Sequence, residues 1–417
     1  MNGVRRRVVI TGMGLVTPIG NTVGEFWEGL LNGRCGIGPI THFDASAYPC
    51  TIAAEVKDFK TSDYFERKRA RHLARGTQFG VAAALDCLKH ANWPRHTNGD
   101  THRLGISAGI GNSPQDAVEQ AVMQLRDHGY RRALGYNLRK SVPHSMASEA
   151  AYRTGFRSTV MTFSTACASG INALGYAAEE IRSNRLDAML CVAADANITK
   201  YTFGYFCKAG MLSRRNNDPA RASRPFDAKR DGGILGEGGA SVLLEEYESA
   251  KRRGADIYAE ILGFGCSGLG YHHEDFEEST PAGMAAAIGE ALAAANCGPP
   301  AIDYIGAHGV SDPRLDAWET KAFKEVFGDR AYDIPISSIK ALTGIPQTAT
   351  GILQLIAGIL AINHGVLPPT MNYEYPDPEC DLDYIPNEPR HNRIRRALTL
   401  MHGFNGTDAA VVVGGIP

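Results

Sequence analysis

The chain lacks the pattern of a leader or membrane segment near Met1, because the apolar run after the basic Arg5-Arg6-Arg7 is interrupted by Gly12 and Pro18. It stops well short of the ~20 apolar residues that a bilayer span needs. The three arginines then read as a solvated flank before a first strand, and no membrane partner is expected. Net charge is also lacking: 43 Lys and Arg stand against 45 Asp and Glu, leaving −2. That balance gives no basic footprint for nucleic acid. The 13 histidines are scattered, with His272-His273 the one adjacent pair, so no zinc spacing emerges and no metal is expected. The 9 cysteines are odd in number and form no paired framework, which fits reduced thiols in the cytoplasm. What remains is a chain of 417 residues with 44% hydrophobic content. That is enough for a large core and more than one ordinary domain, so two fused halves are the simplest organisation.

The most informative segment lies mid-chain. Val160-Met161-Thr162-Phe163 reads as a short buried strand, and after Ser164-Thr165-Ala166-Cys167-Ala168-Ser169-Gly170 the small, periodic residues from Ile171 to Ile181 read as a helix packed closely on a sheet. Cys167 is expected at the helix N-terminus, where orphan N–H groups and the dipole lower a thiol's pKa and favour a nucleophilic thiolate. The bland alternative is a small, inert core cysteine. Two further strands end on reactive side chains. Ile302 to Ala307 stops at His308-Gly309, and Ile334 to Ile339 runs into Lys340, a Gly344 turn and a helix. A histidine at a strand end is often only a loop hydrogen-bonder, and lone lysines are usually solvated. A lysine between strand and helix is more often a site residue.

Strands and helices alternate in two series, one opening at Val8 and the other at Ile257, and the Cys167 and Lys340 turns fall at corresponding places in them. The charged helix Tyr247 to Gly254 is a natural joint, dividing the chain into residues 1–254 and 255–417. Such alternation predicts an α/β fold with mostly parallel, helix-covered sheets.

These three segments, the C-terminal Met401-His402-Gly403-Phe404-Asn405-Gly406-Thr407-Asp408-Ala409, the opening Val8 to Gly20, and the mid-chain Ser223-Arg224-Pro225-Phe226-Asp227 with Arg230-Asp231-Gly232 and Gly236 to Gly239 are all ordered as in one family. Over nearly its whole length the chain resembles the β-ketoacyl-acyl carrier protein synthases of the KAS I/II type, in the thiolase-like superfamily. The resemblance implies five layers in α-β-α-β-α order built from two similar halves. It implies a catalytic set of Cys167, His308 and Lys340, with an oxyanion held by the backbone N–H groups of Cys167 and Phe404. It also implies that Asp316 and Glu319 fix His308 or pair with Lys340, a network that buried charges require in any case. No resident cofactor is implied, since the phosphopantetheine arrives on the acyl carrier protein. Arg67, Lys68 and Arg71 stand where relatives begin a helix that docks that acidic carrier, although a charge run is often only a solvated helix face. Pairing across the edge strand Val160 to Thr165 would give a homodimer, or a heterodimer with a second synthase subunit.

The departures from the family carry as much information. Ile345 stands where chain-extending members have a second histidine. Val310 and Asp312 replace two threonines that hold the pantetheine arm, and Asn405 and Asp408 alter a turn that usually reads Gly-Phe-Gly-Gly-Thr-Asn. Decarboxylation of malonyl draws on two histidine donors to the developing enolate oxygen, and isoleucine donates nothing. Acylation of Cys167 is a separate half-reaction that does not need position 345. If decarboxylation were nevertheless normal, His402 or Asn405 would be the candidates to supply the missing bond. Three readings follow: a cysteine acyltransferase or atypical ketosynthase on carrier-bound chains in fatty acid or polyketide synthesis; a non-catalytic partner resembling chain-length factors; or a condensing enzyme using an amine, alcohol or preformed carbanion. Such partners generally lack the cysteine that is retained here.

Overall fold

A computed structural model describes residues 6–94, 101–112, 114–132, 137–269 and 281–416. Ten strands form the central framework. Five precede residue 250: β1 (Val8–Val16), β2 (Leu104–Gly109), β3 (Val160–Phe163), β4 (Ala188–Ala196) and β5 (Glu237–Glu246). Five follow it: β6 (Ala259–Gly268), β7 (Tyr304–Gly306), β8 (Ile336–Ser337), β9 (Arg396–Gly403) and β10 (Thr407–Gly414). Their spatial order is β8-β7-β9-β10-β6-β1-β5-β4-β2-β3. Read outward from the β1/β6 junction, the first series runs 1-5-4-2-3 and the second 6-10-9-7-8, so each strand has a counterpart five places later. The two halves meet where Val9 pairs with Glu260 and Ile10 with Ala259.

The helices complete the layers. One outer layer is α1 (Arg75–His90) and α2 (Ser145–Thr154), the other is α4 (Ala282–Ala294) and α5 (Pro313–Phe327), and α3 (Ser169–Arg182) lies with α6 (Thr348–His364) between the strand sets, touching both. A helix covered on all sides must be apolar on all sides. Accordingly the stretch Thr348 to Ala361 of α6 is buried without a break. Close approach of the central helices explains Gly170, where a Cβ would lie 2.5 Å from the Thr348 carbonyl oxygen.

Several expectations need correction. The sheet is mixed rather than mostly parallel: in each half two pairings are antiparallel and two parallel. The antiparallel ones arise because the last strand of each half returns beside both its predecessor and the first. Nor is β3 a buried strand. It is the outermost strand of its half, with Val160 39% and Met161 45% exposed. Its apolar composition therefore belongs to a sheet edge. Finally, Arg6 and Arg7 are not a solvated flank. Arg6 donates to the Asp187 carboxylate at 2.7 Å and to the Leu186 carbonyl at 3.0 Å, and Arg7 Nε donates to Glu260 Oε1 at 2.9 Å, tying the chain start to both halves.

Candidate active site

The Cys167 turn is held in a conformation that a non-glycine residue seldom adopts. Ala166 has φ 50°, in the left-handed region, which costs on the order of 1–3 kcal/mol and persists only where neighbours impose it. Here they do. Ser169 Oγ accepts from the Thr165 N–H at 2.7 Å and donates to the Ala166 carbonyl at 2.6 Å, and Asn172 Nδ2 donates to Thr165 Oγ1 at 2.7 Å. The C-terminal hairpin closes over the same turn. Thr407 Oγ1 donates to the Thr165 carbonyl at 3.2 Å, and a Cβ at Gly403 would lie 2.6 Å from that carbonyl oxygen.

Cys167 itself lies just outside the helix, which begins at Ser169. The expected lowering of its thiol pKa is overturned: burial pushes it up to about 11, with Asp195 adding to the rise and the Lys340 ammonium opposing it. Desolvation of the thiolate outweighs the helix dipole here. Because the thiolate is the reactive form, the alkylation rate of Cys167 by iodoacetamide, read peptide by peptide, is expected to climb about tenfold per pH unit from pH 7 to about 10. A plateau near the free-thiol value of ~8.5 would contradict this.

His308 sits at the end of β7, buried, and its backbone is fixed by carboxylates rather than its ring. Glu319 on α5 accepts from the N–H of His308 at 2.6 Å and of Gly309 at 2.7 Å. Asp316, one turn earlier, accepts from Val310 at 2.9 Å, Ser311 at 3.1 Å and Phe226 at 2.8 Å. Glu319 thus fixes His308 through its backbone rather than its ring, and Lys340 feels both carboxylates electrostatically. The two acids knit the loop that carries the imidazole. Burial pushes Asp316 up to about 6 despite nearby Arg230, and pushes Glu319 upward as well. Lys340 Nζ donates to the His308 carbonyl, and burial lowers its pKa.

The ring's own partner defines its tautomer. The His402 N–H donates to His308 Nδ1 at 3.3 Å, so in the neutral ring the proton resides on Nε2. Burial, Lys340 and His402 hold the His308 pKa well below the usual value, which keeps the ring neutral at pH 7. His308 is therefore a hydrogen-bond donor through Nε2.

A cavity of about 580 Å³ brings together Cys167, His308, Val310, Ile345, His402 and Phe404. Asn405, at φ 68° on the exposed hairpin tip, and Asp312 also line it. Ile345 is anchored by its backbone, donating to the Ile234 carbonyl at 2.8 Å and accepting from Gly236 at 3.0 Å. Asp312 also caps α5, its Oδ1 accepting from Arg314 at 2.9 Å and Leu315 at 3.0 Å. Lys340 lies behind His308 and does not line the cavity. Away from this site, Arg67, Lys68 and Arg71 are exposed, whereas Arg69 is paired with Glu149 and Arg75 with Glu237. The His272-His273 pair lies outside the described residues, among which no cluster of His, Cys, Asp and Glu could hold a metal ion. No helix among them is long and apolar enough to cross a membrane.

One group carries no sequence signal, and another joins two residues that the sequence names separately. Asp195, at the end of β4, accepts from Thr348 Oγ1 at 2.6 Å and from its N–H at 3.0 Å, and burial pushes its pKa up to about 6. Asn197 Nδ2 joins it to Gln347 Oε1 at 2.6 Å, and Gln347 lines the cavity with φ 41°. The second group is the pair His402 Nδ1 and Asp408 Oδ1, 2.8 Å apart and buried. A signal for it was present in the altered C-terminal turn, whose Asp408 departs from the usual asparagine.

Residues 5–250 match the family described as beta-ketoacyl synthase, N-terminal domain, and residues 258–374 match beta-ketoacyl synthase, C-terminal domain. The chain is 39% identical over 405 residues to 3-oxoacyl-[acyl-carrier-protein] synthase 2 of a Synechocystis species, covering 96% of each chain. It is 40% identical over 417 residues to the tetracenomycin polyketide synthase ketoacyl synthase alpha subunit of Streptomyces glaucescens, covering 98% of this chain and 97% of that one. Among solved structures it is similar, with TM-score 0.90 and 32% identity over 99% of this chain and 100% of the other, to a type II polyketide synthase acyl-carrier protein in complex with its ketosynthase bound to the hexaketide.

Proposed function

The chain belongs to the β-ketoacyl synthase family, and from that premise we propose that it is a cysteine acyltransferase that takes acyl groups from a carrier-protein thioester onto Cys167 and passes them to a second substrate. The observation that carries this is a cavity that Cys167, at a strained bend, shares with a neutral His308 whose Nε2 is a donor. In this reading the backbone N–H groups of Cys167 and Phe404 hold the oxyanion. Lys340, Glu319 and Asp316 position His308 and its loop. The protein needs no resident cofactor, because the pantetheine thioester enters with the carrier, and it works in the cytoplasm, where its 9 free cysteines stay reduced. Retention of Cys167 within this cavity favours an enzyme over a silent chain-length-factor-like partner.

Intact-protein mass after mixing with a panel of acyl carrier thioesters tests the proposal. A stable adduct is expected, and its mass identifies the acyl group. No adduct with any carrier would move the assignment to the partner-subunit reading.

Carrier docking falls in this proposal to Arg67, Lys68 and Arg71, whose exposed side chains border a groove of about 460 Å³ with His72. Charge clusters of this kind act mainly on association rate. Reversing all three to glutamate is expected to lower the rate of acylation by a carrier-bound donor about tenfold or more, and more at low salt than at high. Acylation by a small N-acetylcysteamine thioester should not change. Equal losses with both donors would argue for a fold defect instead.

The exposed edge β3 is the surface we assign to dimer formation. An apolar edge strand presents unpaired N–H and C=O groups that an isologous copy would satisfy. Sedimentation at micromolar concentration is expected to give a dimer, with itself or with a second synthase subunit. Met161→Glu at this edge should shift it toward monomer. A monodisperse wild-type monomer would contradict the assignment.

A further inference from the structure

Ile345 removes one of the two side-chain donors expected beside the cysteine, yet the cavity still holds a second imidazole, delivered from another strand. His402 lies at the end of β9, 6% exposed, with its ring centroid 5.8 Å from that of His308 and the planes at 75°. It lines the same cavity as Cys167. Its hairpin is pinned onto the Cys167 turn through Thr407 and Gly403, so its position relative to the cysteine is fixed by the fold.

The two imidazoles are prepared for opposite roles. His308 accepts at Nδ1 from a backbone N–H and so carries its proton on Nε2. His402 Nδ1 faces the Asp408 carboxylate at 2.8 Å, and a carboxylate only accepts, so Nδ1 carries the proton and Nε2 of the neutral ring is a lone pair. One histidine is a donor and the other an acceptor. Two donors suit an enolate oxygen formed by loss of CO2. A donor with an acceptor suits attack by a nucleophile that still bears its own proton, with the carboxylate stabilising the imidazolium that forms.

We propose that His402, oriented by Asp408, is the general base that takes the proton from a second substrate of the amine or alcohol class as it attacks the Cys167 thioester. The proposal rests on Cys167 being the acylated residue and names the substrate class of the second half-reaction. The balance is complete. The nucleophile's N–H or O–H bond breaks as its N–C or O–C bond to the acyl carbon forms. The proton passes to His402 Nε2. The tetrahedral intermediate collapses with cleavage of the C–S bond, and the proton moves from His402 to the departing Cys167 thiolate, restoring the thiol and a neutral imidazole. Asp408 never leaves Nδ1 and acts as a positioning residue.

The test separates the two half-reactions. Wild type, His402→Ala, Asp408→Asn and Asp408→Glu are each loaded to completion with hexanoyl-N-acetylcysteamine thioester and desalted. Loss of the adduct is then followed by intact mass with propylamine, with propanol or with malonyl-N-acetylcysteamine thioester. The expected result is discharge by the amine or the alcohol in wild type, with the faster arm identifying the class. His402→Ala should slow it by ~10²–10⁴-fold, with partial recovery on adding imidazole. Asp408→Asn should slow discharge, and Asp408→Glu should retain most of it. Discharge of His402→Ala at the wild-type rate overturns the proposal, as does preferential discharge of wild type by the malonyl thioester. A His402→Ala protein that never loads overturns it too, because the base is then required before the second substrate arrives. Absence of any wild-type adduct overturns the cysteine-acyltransferase reading itself, and this inference with it.

Discussion

Cys167→Ala is expected to abolish acyl uptake from every thioester that loads the wild type, a loss of at least ~10³-fold, since removing the nucleophile of covalent catalysis leaves only binding and the oxyanion site. Intact mass with an acyl carrier donor is the measurement, and peptide mapping of the wild-type adduct should place it on Cys167 alone. The other cysteines give reason for this selectivity. Cys87 and Cys191 are fully enclosed in the core, and Cys50, Cys207 and Cys380 are buried as well. Cys35, Cys266 and Cys297 have partial access but none lines the cavity. Cys167→Ala removes only a sulfur from a half-buried side chain, so its fold should persist. If Cys167→Ala still acquires an acyl group at the wild-type rate, the nucleophile lies elsewhere.

The elements that carry this site were visible in the sequence because each ends a strand on a reactive residue followed by small ones: Cys167, His308 and Lys340. The duplication was visible for the same reason, since strand-turn-helix units recur in order, and the structure repeats the order strand for strand. Strand direction was not legible. Periodicity reports burial and says nothing about whether a returning strand runs up or down. Burial of β3 was not legible from its composition, because Val160 and Met161 look like core until their neighbours are known, whereas the resemblance placed this strand at an edge and the structure has it outermost. Local reasoning also failed for the thiol of Cys167. A helix terminus can be inferred from sequence, but the burial that pushes this thiol up depends on tertiary packing, such as the C-terminal hairpin whose Gly403 lies against the Thr165 carbonyl. The Asp195, Asn197 and Gln347 network escaped notice because its members belong to no local motif and come together only when β4 meets the start of α6.

Malonyl decarboxylation is expected to run ~10²–10³-fold below that of a synthase with two histidine donors, because one preorganised donor to the developing oxyanion is missing. His308 supplies a single Nε2–H, and Ile345 lines the cavity with hydrocarbon where a second donor is expected. Ile345→His should recover part of the activity. The backbone at 345 is held on both sides, by Ile234 and Gly236, so the new imidazole would project from the same place. Packing limits the gain, because the Ile345 side chain faces Gly233, where even a Cβ would lie 2.5 Å from it. The pantetheine path limits it further, for Val310 and Asp312 also line the cavity, and misplacing a reacting group by about an ångström can cost ~10²-fold. Ile345→His with Val310→Thr and Asp312→Thr should therefore exceed the single change. Threonine at 312 is compatible with the fold, since it can cap α5 much as aspartate does. Release of labelled CO2 from malonyl carrier protein measures all three proteins. Wild-type turnover equal to that of a two-histidine synthase would sink the idea, and would mean that His402 presents a proton to the cavity rather than a lone pair, or that Asn405 donates from the hairpin tip.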